Sequence, residues 1–276
     1  PERVALRIRR WQQAADRGFL WRISRDGRDS FLYATLHAGR AEWMAFGPRT
    51  DAALARTGVL ALEINVMDPA VQAALREATQ GPARRLPAEL MRSLRDAWAA
   101  ECLAEADLQA GPPEFHVAQL AVAQAQRQGL FPLYGAESAL LMRSLRTERP
   151  VVGLETVQTQ LATLLARSDA EAETMVRQAL DDWRHPRAAQ IMERLTHAWM
   201  AGNLKELESY GDWCECLDSP SDREAFARLV DGRNPGMADA IEQIHANVSV
   251  FAAVGALHLV GPQGPVSYTH LTLPTS

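Results

Sequence analysis

Two histidines and two glutamates hold matching places in this sequence. Residues 31–36, Phe-Leu-Tyr-Ala-Thr-Leu, run into His37, and residues 250–257, Val-Phe-Ala-Ala-Val-Gly-Ala-Leu, run into His258. In the same way Val59-Leu60-Ala61-Leu62 ends on Glu63, and Val151-Val152-Gly153-Leu154 ends on Glu155. Each run is short, apolar and partly β-branched or aromatic, as a buried strand is. Open α/β sheets carry their sites outside the carboxyl ends of their strands. Two imidazoles and two carboxylates converging there would suit a divalent metal or general acid–base work. A single strand-end histidine means little; four such ends carry the reading.

The flanking residues refine it. Glu63 lies between Leu62 and Ile64, so its carboxylate is expected to be partly buried. Burial raises a carboxyl pKa unless a cation or hydrogen bonds offset it, and a metal or Arg233 would serve. Glu155 suits either proton transfer or an interaction with the dipole of a following helix. Arg233, in Arg233-Asn234-Pro235, can stabilise an oxyanion or clamp a carboxylate, or it can sit in a surface turn that Asn234 caps. For Glu137, after Gly135-Ala136, the helix-dipole reading is preferred. His116, His185, His197 and His245 fall in or beside helical stretches without a partner at ligand spacing and read as structural or exposed.

The elements that must position these residues follow from periodicity and turn chemistry. Strands over 19–24 and 30–36 flank Asp26-Gly27-Arg28, a hairpin signal. A helix over 48–57 stops before Gly58, and a strand over 59–64 follows, which makes a βαβ unit and favours a parallel pair. Helices are expected over 69–79, 87–106, 113–128, 137–147, 157–166, 169–183 and 186–201, several opening on proline or an acidic residue. Short strands over 130–134 and 150–154 interrupt them. A last helix over 234–246 leads into a strand over 248–254. The fold class is therefore α/β: a central mixed sheet flanked by helices, with a large helical insertion.

Composition narrows the function. The chain has 276 residues, 47% of them hydrophobic, which is enough for a large core. No apolar run reaches membrane-spanning length. The net charge of -5 lacks a basic stripe, which argues against nucleic acid. Lys205 is the only lysine, which argues against a phosphate loop or a Schiff base. Cys214-Glu215-Cys216 is too tight for a zinc knuckle. A bridge from Cys102 to either member of that pair is open, as are three unpaired thiols. The chain starts on Pro1 rather than methionine, so an N-terminal segment is expected to have been removed or never captured, and a cleaved export signal would fit. Residues 266–276 carry no charge and break the style of the rest; they read as foreign sequence, and His270 is set aside.

Several segments together resemble the TraB/PrgY/GumN family, which includes the Tiki proteases. They are Leu20-Trp21-Arg22-Ile23, Tyr33-Ala34-Thr35-Leu36-His37, Ala61-Leu62-Glu63-Ile64, Val152-Gly153-Leu154-Glu155-Thr156 with Gln160-Leu161, Gly232-Arg233-Asn234, and Val254-Gly255-Ala256-Leu257-His258-Leu259-Val260-Gly261. The resemblance covers residues 18–265, taken as one domain. Its marker is a pair of G-x-x-H motifs with a glutamate between. Gly255-Ala256-Leu257-His258 matches fully, and Ala34-Thr35-Leu36-His37 departs at its first residue. Alanine can fill that position if φ is negative there.

The resemblance implies a fold like that of the haem-binding ChaN and erythromycin-esterase proteins. It implies a divalent metal, Mn²⁺ or Co²⁺, on His37, His258 and Glu63, and hydrolysis of a peptide or small-molecule substrate. In that reading Glu63, Glu155 and Arg233 take catalytic parts. It also implies a periplasmic or secreted protein. The alternative is a non-catalytic envelope protein that binds haem or another ligand, or regulates, on the same fold.

Overall fold

The computed structural model of the chain describes residues 14–81, 84–109, 111–260 and Gly264. The foreign-looking stretch 266–276 lies outside them. In chain order the elements are β1 (Leu20–Arg25), β2 (Arg28–Thr35), α1 (Pro48–Ala55), β3 (Val59–Leu62), α2 (Pro69–Thr79), α3 (Ala88–Ala100), α4 (Pro113–Arg127), α5 (Ala136–Arg146), β4 (Val151–Gly153), α6 (Val157–Leu164), α7 (Asp169–Arg184) and α8 (Arg187–Ala201). There follow α9 (Leu204–Glu208), α10 (Tyr210–Trp213), α11 (Pro220–Leu229), α12 (Asn234–Asn247), β5 (Val250–Gly255) and α13 (Ala256–Leu259). They form two compact units, one built on the sheet and one made of residues 66–131 and 156–193.

The sheet unit has strand order β1-β2-β5-β3-β4. β1 pairs antiparallel with β2, and every other pairing is parallel. The sheet is thus mixed, with helices around it, as expected. β5 lies at its centre and all six of its residues are buried, which explains its unbroken apolar run. β1 lies at the edge and mixes buried Trp21 with exposed Arg22. Asp26 and Gly27 both take positive φ, 52° and 76°, the turn that Asp-Gly announces. β2 and β3 are parallel, as the βαβ reading requires, but they are not neighbours. The C-terminal strand β5 inserts between them and pairs with both.

Under the sheet, Tyr33, Trp199 and Phe251 pack together. The indole of Trp199 donates to the Ala34 carbonyl at 2.9 Å. Ala34 is not among the residues of positive φ, so nothing there requires the missing glycine.

The helical unit contains α2, α3, α4, α6 and α7. Leu90, Leu94, Trp98, Leu120, Val176 and Leu180 form its buried core. They come from α3, α4 and α7 at helical spacing. This unit is the expected insertion.

Local expectations fail where the chain turns. The helix expected over 87–106 stops at Ala100, because Cys102 takes φ 56°. The strand expected over 130–134 is instead a single 3₁₀ turn, Pro132–Tyr134; proline has no N–H to give a sheet. The bridge from Cys102 is also absent. Cys214 pairs with Cys216, and Cys102 is free and exposed.

Candidate functional site

Because β2, β5, β3 and β4 run parallel, their carboxyl ends share one edge of the sheet. His37 lies two residues past β2, Glu63 directly after β3 and Glu155 two residues past β4. His258 is not the end of a strand. β5 stops at Gly255, and the chain turns into the single-turn helix α13, which carries His258. These four residues, together with Arg233 and Glu137, all belong to the sheet unit.

Glu63 sits at the centre. One carboxylate oxygen accepts the Gly255 N–H at 2.8 Å, and the other accepts Arg233 Nη2 at 2.5 Å. Arg233 also grips Glu155 through Nε, at 3.1 and 3.2 Å to its two oxygens, and through Nη2. All three side chains are under a tenth exposed. The last turn of α11 contributes as well, since Arg233 Nη1 donates to the Leu229 carbonyl at 3.1 Å. Arg233 is therefore no surface turn. Burial pulls its pKa down, but Glu155 and Glu63 more than offset this and keep it charged. Burial likewise pushes the Glu63 carboxyl up, while His37, His258, the Gly255 N–H and Arg233 outweigh it and hold the group below its ordinary value.

The two histidines are pinned alike. His258 Nδ1–H donates to Asn234 Oδ1 at 2.8 Å, which leaves Nε2 to accept from Arg233 Nη1 at 3.3 Å. That Nε2 lies 3.9 Å from Glu63. Burial lowers the His258 pKa, so the ring is neutral near pH 7. His37 Nδ1 lies 2.8 Å from Glu137. The Glu137 carboxylate raises the His37 pKa to about 9. The ring is 73% exposed, so solvent screens the pair and it adds little to stability. The three groups meet at Gly255. A Cβ built there would stand 3.2 Å from Glu63 Oε1, 3.4 Å from His258 Cδ2 and 3.5 Å from His37 Nε2.

Two members of the site escaped sequence reasoning. Glu137 is in the first turn of α5, where a dipole role was preferred. Its carboxylate instead takes His37 and the Thr35 hydroxyl. The approach is close: Ala136 N–H donates to the Leu36 carbonyl at 3.0 Å, and a side chain on Gly135 would collide with the His37 carbonyl. Gly135, two residues before an acidic residue, was the one available signal. Asn234 was read as a helix cap, but it is fully buried and holds His258 rather than capping α12.

The donor set suits a divalent metal in kind. Each imidazole has Nδ1 held by an oxygen, as metal-binding histidines have, and Nε2 remains on the site side with a carboxylate beside it. Among the described residues no group of three or more His, Cys, Asp or Glu side chains is arranged to hold a metal ion as it stands; the Arg233 guanidinium lies among the carboxylates.

Sheet and site together define an α/β protein whose polar centre lies on the carboxyl edge of a mainly parallel sheet. The chain belongs to the TraB/PrgY/gumN family, whose sequence profile matches residues 19–269. It is also similar to the uncharacterized protein YbaP of Shigella flexneri, with 24% identity over 235 residues, 85% of each chain. No solved structure matches it. No described helix is long and apolar enough to cross a membrane.

Proposed function

We propose that the chain is a metal-dependent hydrolase of the TraB/GumN type, with peptide bonds as its first substrate class. The observation that carries this reading is the convergence of His37 Nε2, His258 and Glu63 on the bare Cα of Gly255. Charge supports it. Glu63, Glu137 and Glu155 bring three carboxylates to the Arg233 guanidinium and to the His37 ring that Glu137 holds protonated, an acidic balance that favours a cation. His37, His258 and Glu63 would hold the ion, Mn²⁺ or Co²⁺. When bound, it would supply Lewis acidity toward a carbonyl oxygen and acidify water.

The chain's own groups do the rest. Glu63, ionised and buried, either completes the coordination or accepts a proton from the attacking water. Arg233, whose N–H groups are held by Glu63, Glu155, the Leu229 carbonyl and His258, would stabilise the oxyanion that develops on the substrate carbonyl through its positive charge. Glu155, bound through both oxygens, aims that guanidinium; a general-acid part for it would need this grip released. Asn234 and Glu137 fix the rings of His258 and His37.

The test is metal analysis by mass spectrometry of purified protein, then peptide-library cleavage with and without added Mn²⁺ or Co²⁺. The expected result is metal-dependent cleavage that disappears in His37→Ala and His258→Ala, both still cooperatively folded. Gly255→Ala should fill the cradle and weaken metal binding while its unfolding midpoint stays near that of the parent, since its φ of −52° suits alanine. Absence of both bound metal and cleavage would defeat the proposal.

A further inference from the structure

The Cys214–Cys216 bridge closes the chain across a single residue, Glu215. A loop this short restrains the unfolded chain least, so the bridge is a poor staple for the fold. It also carries a cost. Glu215 is held at φ 52°, a left-handed conformation that a glutamate disfavours and that opening the bridge would release. The two sulfurs differ in access. Cys214 is fully buried, whereas Cys216 is half-buried beside exposed Glu215. Each sulfur also has a donor: the Cys216 N–H meets Cys214 Sγ at 3.1 Å, and the Tyr210 hydroxyl lies 3.5 Å from Cys216 Sγ. Donors of this kind stabilise a thiolate over a thiol.

We propose that Cys214 and Cys216 form a thiol–disulfide exchange site for an external dithiol, with Cys216 as the sulfur that meets the co-substrate and Cys214 as its resolving partner. A thiolate of the co-substrate attacks Cys216 Sγ. The Cys214–Cys216 bond breaks, and its electron pair leaves on Cys214, which takes up a proton. The second thiol of the co-substrate, as thiolate, attacks its own sulfur in the mixed disulfide. That molecule becomes a disulfide, and Cys216 leaves as a thiolate and is protonated. Two electrons and two protons have moved to the protein pair, and the reverse sequence oxidises a dithiol.

The experiment uses the full chain with Cys102→Ser, so that the free thiol does not interfere. The folded protein is equilibrated across a series of reduced and oxidised glutathione, two glutathiones standing in for the dithiol. Thiols are then trapped by alkylation and the peptide carrying both cysteines is weighed. The expected result is a cooperative passage from zero to two alkyl groups within the series, with the far-UV circular dichroism unchanged. A bridge that stays closed throughout, a pair that stays reduced in oxidised glutathione, or unfolding along the titration would each overturn the proposal. In single variants, Cys214→Ser should form the glutathione adduct on Cys216 about tenfold faster than Cys216→Ser forms it on Cys214. Equal or reversed rates would overturn the assignment of the two sulfurs. The wild-type titration decides the proposal if either variant fails to fold.

Discussion

Arg233 holds the site together by charge. Its guanidinium joins Glu63 to Glu155 with all three side chains buried. Removing the cation would leave two buried carboxylates facing one another without its charge between them. Arg233→Gln should therefore destabilise the protein by roughly 3–5 kcal/mol, the usual cost of breaking a buried ion pair from one side, as read by urea unfolding. A change under 1 kcal/mol would mean that the carboxylates find other partners. Sequence reasoning reached part of this arrangement. An acidic residue between Leu62 and Ile64 was expected to be partly buried and to need a partner, and Arg233 was one of the two named. It could not reach Asn234 or Glu137. Their local surroundings fit a cap or a dipole contact equally well, and only the approach of His258 and His37 assigns them otherwise.

At the scale of elements, the β1–β2 hairpin and the seat of α12 are both testable. Gly27 takes φ 76°, and nothing lies within 4 Å of where its Cβ would be. Gly27→Ala should thus cost only the left-handed conformation, about 1 kcal/mol, seen as a lower urea midpoint with an unchanged slope. α12 is tied to β2 through His245, whose Nδ1 lies 2.6 Å from the Ser30 hydroxyl, and Ser30 in turn accepts the Val250 N–H at 2.9 Å. His245 Nε2 is buried without a hydrogen-bond partner. Burial first, then Arg28 and Arg25, lower its pKa below 6.5, while Asp26 and Asp29 pull weakly the other way. A histidine depressed in the folded state binds its proton more readily when unfolded. Its contribution is complete above pH 6.5 and is lost as pH falls from there toward the folded value. Stability measured from pH 7 down to 5 should therefore fall less in His245→Gln than in the wild type. Parallel curves would mean that His245 does not titrate in this range.

At the scale of the whole molecule, the catalytic candidates and the helical core belong to different units. Leu94 is fully buried in the helical core. Leu94→Ala should cost about 2–5 kcal/mol, according to how far the neighbouring side chains close the cavity, measured by chemical unfolding. Every proposed site residue lies in the sheet unit, so the metal content of the folded Leu94→Ala protein should match that of the wild type. The helical insertion itself was legible, because amphipathic periodicity over 69–128 and 157–183 is a local property. The short helices α9, α10, α11 and α13 were not, since helices of so few turns owe their existence to packing rather than to propensity.

The amino-acid order by itself determined that four apolar runs would form strands and that His37, Glu63 and Glu155 would follow their ends; His258, carried on α13, was not placed this way. Hydrophobic burial of a short run is decided within the run, and the polar residue that ends it goes where the run ends. What lay beyond it was the order of the strands. Nothing local says that β5, the last strand, inserts between β2 and β3. Yet that placement sets Gly255 beside Glu63 and lets the turn of α13 bring His258 onto the same point as His37. The grip of Glu137 on His37 and that of Asn234 on His258 were decided in the same way. Each depends on which surfaces meet once the sheet has closed, and those contacts join residues that share no local pattern.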